Sequence, residues 1–171
     1  MASALWQHSA SELAQLIASK QVSSVEVVEA HLTRIAEVNP SVNAIVRVLG
    51  EEARACAAKA DVAVSRGDAL GPLHGVPFTV KENIDMAGLP TTWGVPALAE
   101  AVVPLDAPVV QRMRAAGAIA IGRTNLPDMG LRFSTESSLH GATRNPWNAG
   151  RTAGGTNGGE GEARGTGMSP A

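Results

Sequence analysis

The feature that most narrows the choice of fold is an alternation along the chain: capped stretches of helical period take turns with short apolar runs. Ser9-x-x-Glu12 and Ser23-x-x-Glu26 are capping boxes, in which serine and glutamate side chains satisfy each other's otherwise unpaired backbone N–H groups. Leu13, Leu16 and Ile17 follow the first box. Val25, Val28, Leu32 and Ile35 follow the second, at three- and four-residue spacing, and Asn39-Pro40 is expected to end that helix. Residues 44–49, 77–80 and 118–121 read as strands, the last apolar enough to be buried on both faces. Residues 51–66 read as a helix closed by Gly67, and Asp106 is expected to cap another that runs through Ala116 and stops at Gly117. Alternation of this kind predicts an α/β fold, a mixed and at least partly parallel sheet flanked by helices.

Composition bounds the rest. The 171 residues suffice for one domain with a true core, and 44% hydrophobic content argues against disorder. A region of helices over 1–70, a core over 71–160 and a glycine-rich tail over 150–171 can be distinguished, without a second domain or an internal repeat. Tyr is absent and Phe occurs twice, so the core must pack through small and aliphatic side chains. A net charge of -2 offers no basic face for nucleic acid or an anionic membrane. No apolar stretch approaches the roughly 20 residues of a membrane helix, and the start of the chain lacks the pattern of a secretory signal. A soluble cytoplasmic protein is therefore expected. Cys56, the lone cysteine, lies in an alanine-rich helical stretch and reads as a buried structural thiol.

Three segments hold residues suited to chemistry. In Gly71-Pro-Leu-His-Gly-Val-Pro-Phe-Thr-Val-Lys-Glu-Asn83, one lysine, Lys81, stands where an apolar strand ends. Partial desolvation there would lower its pKa and make it a base; a surface lysine at a strand end is the other reading. In Gly122-Arg-Thr-Asn-Leu-Pro127, Asn125 follows a buried strand, where α/β folds place site residues, or else serves a turn by bonding its own backbone. In Arg151-Thr-Ala-Gly-Gly-Thr-Asn-Gly-Gly-Glu160, four glycines bracket Thr156 and Asn157. Such a loop can fix a hydroxyl and turn backbone N–H groups toward an anion; it can also be a flexible linker. No lysine follows Gly159, which excludes the Walker phosphate loop, and no convincing strand precedes the segment, which excludes the dinucleotide pattern.

Taken in order, Gly-Pro-Leu-His-Gly-Val-Pro-Phe-x-Val-Lys-Glu-Asn, Gly-Leu-Pro-Thr-Thr-Trp-Gly, Ala-Pro-Val-Val-x-Arg-Met-Arg-Ala-Ala-Gly-Ala, Gly-Arg-Thr-Asn-Leu-Pro, Thr-Arg-Asn-Pro-Trp and Gly-Gly-x-x-Gly-Gly-Glu resemble the amidase-signature family. Bacterial amidases and the glutamine-amidotransferase A subunit belong to it. The resemblance covers essentially the whole chain and is strongest over 71–160. It implies an N-terminal portion of an amidase-signature domain, with an incomplete form of that fold. It also implies an amide hydrolase with a Ser–cis-Ser–Lys triad, a small-molecule amide substrate, and no metal or organic cofactor. The family lysine falls on Lys81 and the cis-serine on Thr156. Gly154, Gly155, Asn157 and Gly158 fall on the substrate and oxyanion loop, with Asn125 and Arg151 in support.

The chain departs from the family at three places. Thr156 and Asn157 stand where serines are usual, and Gly161, Glu162, Arg164 and Gly165 replace the start of an apolar helix, which predicts a weak helix and a mobile tail. The family's nucleophile belongs to an Asp-x-Gly-Gly-Ser segment, and no such segment follows Gly167-Met-Ser-Pro170. Ser169 holds the Met-Ser-Pro position, not the nucleophile's. The expectation is a chain that lacks the nucleophile, is inactive and poorly stable by itself, and places the Lys81 amine near the Thr156 hydroxyl, with strained, cis-containing backbone at Gly155–Thr156 or Thr156–Asn157. A non-catalytic fragment or binding module on the same scaffold is the alternative. The oligomeric state is left open.

Overall fold

A computed structural model describes residues 4–171. After a 3-10 turn at Leu5–Gln7, helices α1 (Ala10–Ala18) and α2 (Ser24–Val42) lead into strand β1 (Ile45–Val48) and helix α3 (Gly50–Arg66). Strand β2 (Pro77–Lys81), helix α4 (Pro108–Ala115) and strand β3 (Ile119–Thr124) follow, then the short strands β4 (Glu136–Ser137) and β5 (Gly141–Ala142), and helix α5 (Gly158–Gly165). The three long strands form one sheet in the order β1-β3-β2. β2 runs parallel to β3 and β1 antiparallel to it, so the sheet is mixed, and with its flanking helices the molecule is α/β.

Both capping boxes form. Ser9 and Ser23 accept from the N–H groups of Glu12 and Glu26, which bond back to the cap residues. Helix α2 does not stop at Asn39-Pro40. A proline in a last helical turn forgoes only one hydrogen bond, and Asn43 ends the helix in the left-handed conformation. Asn39 ties that end to β1: its amide oxygen accepts from the N–H groups of Ala44 and Ile45, and its nitrogen donates to the Ile45 carbonyl at 2.7 Å. Asp106 does not cap α4. Its carboxylate accepts from the Ala87 N–H at 2.8 Å, which anchors the loop after β2 instead. Strand β3 runs on through Gly122–Thr124, the stretch expected to leave it, because those residues pair with β2 as far as Lys81 and Thr124. Cys56 is exposed, not buried: the inward stripe of α3 is Ala53, Ala57 and Ala60, and residue 56 falls beside it.

The core has two main layers, one on each face of the sheet. Val28, Leu32, Ile35, Ala53, Ala57, Ile45, Ile119 and Ile121 fill the space beneath α2 and α3, and Ala163 and Met168 join them from the end of the chain. Phe78, Val80, Met86 and Val110 pack on the opposite face with α4. The glycine-rich tail is thus not a loose end. Eight of its residues make α5, which the buried Ala163 and Met168 hold in the core despite the poor helix propensity of glycine. No helix among the described residues is long and apolar enough to cross a membrane.

Candidate active site

Side chains alternate across a strand, and in β2 this sends Phe78 and Val80 into the α4 layer and Thr79 and Lys81 to the face that α5 covers. Lys81 closes the strand opposite Thr124 of β3. Its amine lies 3.4 Å from the Thr156 hydroxyl, a contact between residues 75 apart in sequence. Burial pushes the Lys81 ammonium below the ordinary lysine range, and the charge of Glu160 partly opposes this.

Thr135 fixes the loop that carries Thr156. Its hydroxyl donates to the Gly155 carbonyl at 3.0 Å and accepts from the Gly158 N–H at 2.9 Å. Gly154 and Gly155 both take positive φ, 76° and 61°, where a side chain would be strained. Among the described residues there is no cis peptide bond, so the turn before Thr156 is made with left-handed glycines and not with the expected cis link. Three loop amides expected to face an oxyanion are committed inside the protein. Gly154 donates to Thr152 Oγ1 at 3.0 Å, Gly155 to the Phe133 carbonyl at 2.7 Å, and Gly158 to Thr135. Asn157 is exposed and its carbonyl accepts from the Gly161 N–H in the first turn of α5.

Asn125 is fully buried with its amide satisfied by protein groups. It donates to the Gly141 carbonyl at 3.0 Å and to Thr143 Oγ1 at 3.1 Å, and accepts from Ser137 Oγ at 3.1 Å. It clamps the β4–β5 hairpin to the end of β3. Its backbone also lies where a Cβ on Gly159 would sit, so only glycine lets the loop come this close. Arg151 is exposed, with no side-chain hydrogen bond or ion pair among the described residues, and the structure does not bring it to Lys81.

Sequence reasoning missed two groups. Glu160, in the first turn of α5, accepts from Thr79 Oγ1 at 2.8 Å and from Thr124 Oγ1 at 3.1 Å. Burial pushes its carboxyl up, against the pull of those two hydroxyls and the charges of Arg164 and Lys81. A threonine two residues before Lys81 in an otherwise apolar strand was the legible signal, since same-face spacing puts both at one site. On the other face, the fully buried Arg123 stands 3.6 Å from Glu82 and donates to the carbonyls of Ile84 at 3.0 Å and Lys81 at 3.3 Å. Burial opposes ionisation of Glu82, but His140, Thr92 and the Arg123 charge outweigh it and hold the carboxyl below its ordinary value. Arg123 thus grips the main chain that carries Lys81. Ser169 is buried, its hydroxyl bonded to the Ala171 carbonyl.

An open cleft of about 570 Å³ is lined by Cys56, His74 and Ala118, at the start of β3, and by none of these groups. Among the described residues no cluster of three or more His, Cys, Asp or Glu is placed to hold a metal ion.

The profile of the Amidase family matches residues 26–171. The chain is 48% identical over 164 residues to the indoleacetamide hydrolase of Bradyrhizobium diazoefficiens, an alignment that covers 96% of this chain and 31% of that protein. It is 43% identical over 162 residues to the acylamidase of Rhodococcus erythropolis, covering 95% and 34%. Among solved structures, 6-aminohexanoate cyclic dimer hydrolase matches with a TM-score of 0.86 and 39% identity, over 97% of this chain and 33% of that one. The chain spans about a third of the length of the curated relatives it matches.

Proposed function

The chain belongs to the amidase-signature family, and on that premise we propose that it carries the base and the proton relay of a centre that hydrolyses a carboxamide C–N bond. The observation that supports this reading is the 3.4 Å contact between the Lys81 amine and the Thr156 hydroxyl. Neutral Lys81 takes the proton of the Thr156 hydroxyl, and Thr156 takes that of a serine nucleophile as the serine oxygen bonds to the amide carbon. Collapse of the tetrahedral adduct breaks the C–N bond, and the proton returns through the same pair to the leaving amine or ammonia. Water then attacks the acyl-enzyme, its proton passing to Lys81, and the proton returns through Thr156 to the serine oxygen as the ester C–O bond breaks and the acid is released. The lowered pKa of Lys81 serves the first step, since only the neutral amine accepts a proton. Thr156 keeps the hydroxyl a relay needs. The nucleophile is assigned to a segment of the Asp-x-Gly-Gly-Ser kind, which this sequence does not contain. Gly154, Gly155 and Gly158 are not assigned as oxyanion donors, because their amides are already engaged.

The test is a chimera. The chain is fused to the remaining two thirds of the indoleacetamide hydrolase it resembles and assayed for ammonia release from indoleacetamide and simple aryl and aliphatic amides. Hydrolysis is expected, with Lys81→Ala and Thr156→Val each lowering kcat by roughly 10²–10⁴-fold. An active chimera indifferent to Lys81→Ala would refute the assignment. The 171-residue chain alone is expected to give no turnover above background. Turnover by it that Lys81→Ala abolishes would place the nucleophile within these residues, with Ser169 and Ser134 the first to substitute.

A further inference from the structure

Glu160 has no part in the relay just described, yet it is a partly buried carboxylate held on the same face of the sheet as the proposed base. It reaches the sheet through two threonine hydroxyls, and both belong to the neighbourhood of Lys81. Thr79 precedes Lys81 by two residues on the same face of β2, and Thr124 is its register partner on β3. Thr156, on the other side of the amine, lies in the loop that runs directly into the first turn of α5. The amine therefore contacts a neutral hydroxyl, and the carboxylate held by its strand neighbours acts on it by charge without forming a direct ion pair.

We infer that Glu160 is a positioning residue that sets the basicity of Lys81, acting as the counter-charge for the ammonium formed when Lys81 takes the relay proton. This deepens the reading of Lys81 as the base and rests on it. A base is judged in the transition state by how well its protonated form is tolerated, and in a half-buried site water does little of that work. An ionised carboxylate nearby does it instead. The same charge keeps Lys81 protonated to higher pH, so Glu160 exchanges a larger neutral fraction for a better stabilised ammonium. The other charged groups around the pair do not replace it. Arg164 and Glu162 are on α5 with Glu160, and Arg164 acts on Glu160 by its charge. Glu82 and Arg123 compensate each other on the far face of the sheet, and Arg47 on β1 bears on Arg123. Burial favours the neutral forms of Lys81 and Glu160 alike, while each group's charge favours ionisation of the other.

The chain has three lysines, Lys20, Lys59 and Lys81, and the first two are exposed. Lysine labelled with carbon-13 at Cε therefore gives two internal references in an NMR titration of the 171-residue chain. In the wild type, the Lys81 resonance is expected to show a second inflection on the acid side, as Glu160 takes its proton, that Lys20 and Lys59 lack. In Glu160→Gln, whose oxygen still accepts from one threonine hydroxyl while its NH2 donates to the oxygen of the other, that inflection vanishes and the Lys81 midpoint moves to lower pH with the references unmoved. Glu162→Gln, a carboxylate lost from the same helix, leaves both features in place. A wild-type curve without the inflection overturns the inference, and so does a Glu160→Gln midpoint that does not move. Should Glu160→Gln fail to fold, the wild-type inflection decides alone. None of these readouts needs catalysis, so a failed chimera with a shifted Lys81 midpoint would fault the proposed function and leave the coupling standing.

Discussion

His31 is completely buried on the inner face of α2, where its Nδ1–H donates to the Val27 carbonyl at 2.8 Å and Nε2 has no hydrogen-bond partner among the described residues. A second proton would put a charge where nothing receives it. Burial accordingly pushes the imidazole below its ordinary 6.5, with the Val27 bond partly opposing. The folded chain then binds fewer protons than the unfolded chain between the depressed value and 6.5, so stability rises with pH across that window. The contribution is fully present above pH 6.5 and is lost as pH falls toward the folded value. Urea unfolding at a series of pH values is expected to show this slope, and His31→Leu to flatten it while costing no more than roughly 1 kcal/mol at pH 8, since it removes an unpartnered polar atom along with one hydrogen bond. An unchanged slope in His31→Leu would move the effect to other groups.

Helix α5 separates two uses of glycine. Gly159 lies against the backbone of Asn125, where a Cβ would overlap main-chain atoms that cannot rotate away. Gly161, on the exposed side of the same helix, has open space around its would-be Cβ. Gly161→Ala is therefore expected to stabilise the chain by about 0.5–1 kcal/mol through helix propensity and the unfolded-state entropy. Gly159→Ala is expected to cost about 1–3 kcal/mol, as overpacking does. Thermal melts of the two variants check the contrast, and equal effects would mean that α5 is not seated on Asn125. The helices were largely legible from their caps: both capping boxes, the apolar stripe of α2 and the Gly67 end of α3 stand as read, while in α1 Leu13 and Ile17 are buried and Leu16 lies outside their cluster. Helix α5 was not, because its local propensity is poor and its stability comes from Ala163 and Met168 meeting residues more than a hundred positions earlier.

For the molecule as a whole, the uncovered surface is informative. Phe133, Leu131 and Trp147 are 94%, 81% and 87% exposed, and Phe133 lies next to the candidate site through its carbonyl bond to Gly155. Both β1 and β2 are edge strands of the sheet, and on β2 the Thr79 N–H is met by the Ala171 carbonyl at 3.1 Å. Bare strand edges and large exposed apolar side chains favour association. The 171-residue chain is expected to bind a hydrophobic dye several-fold more than a compact protein of its size and to show a mass by light scattering that grows with concentration. Phe133→Ser combined with Trp147→Ser should lower both. A concentration-independent monomer with no dye binding would contradict this.

Much of the candidate site lies on the boundary between local and distant information. Lys81 at the end of an apolar strand, the paired glycines around Thr156 and the motif order were properties of the sequence by itself, because strand alternation and glycine's backbone freedom are local. So was the α/β class, since helical and strand periods can be counted residue by residue. The distance from Lys81 to Thr156 was not, and neither was the commitment of the loop amides to Thr152, Phe133 and Thr135. Nor could periodicity show that Asn125 would be used up as a clamp, that Arg151 would face solvent, or that Glu160 would turn inward onto Thr79 and Thr124. These depend on which face of β2 the last helix covers. That choice is made by the packing of Ala163 and Met168 against α2, α3 and the sheet, where burying apolar surface outweighs the weak local preference of a glycine-rich segment.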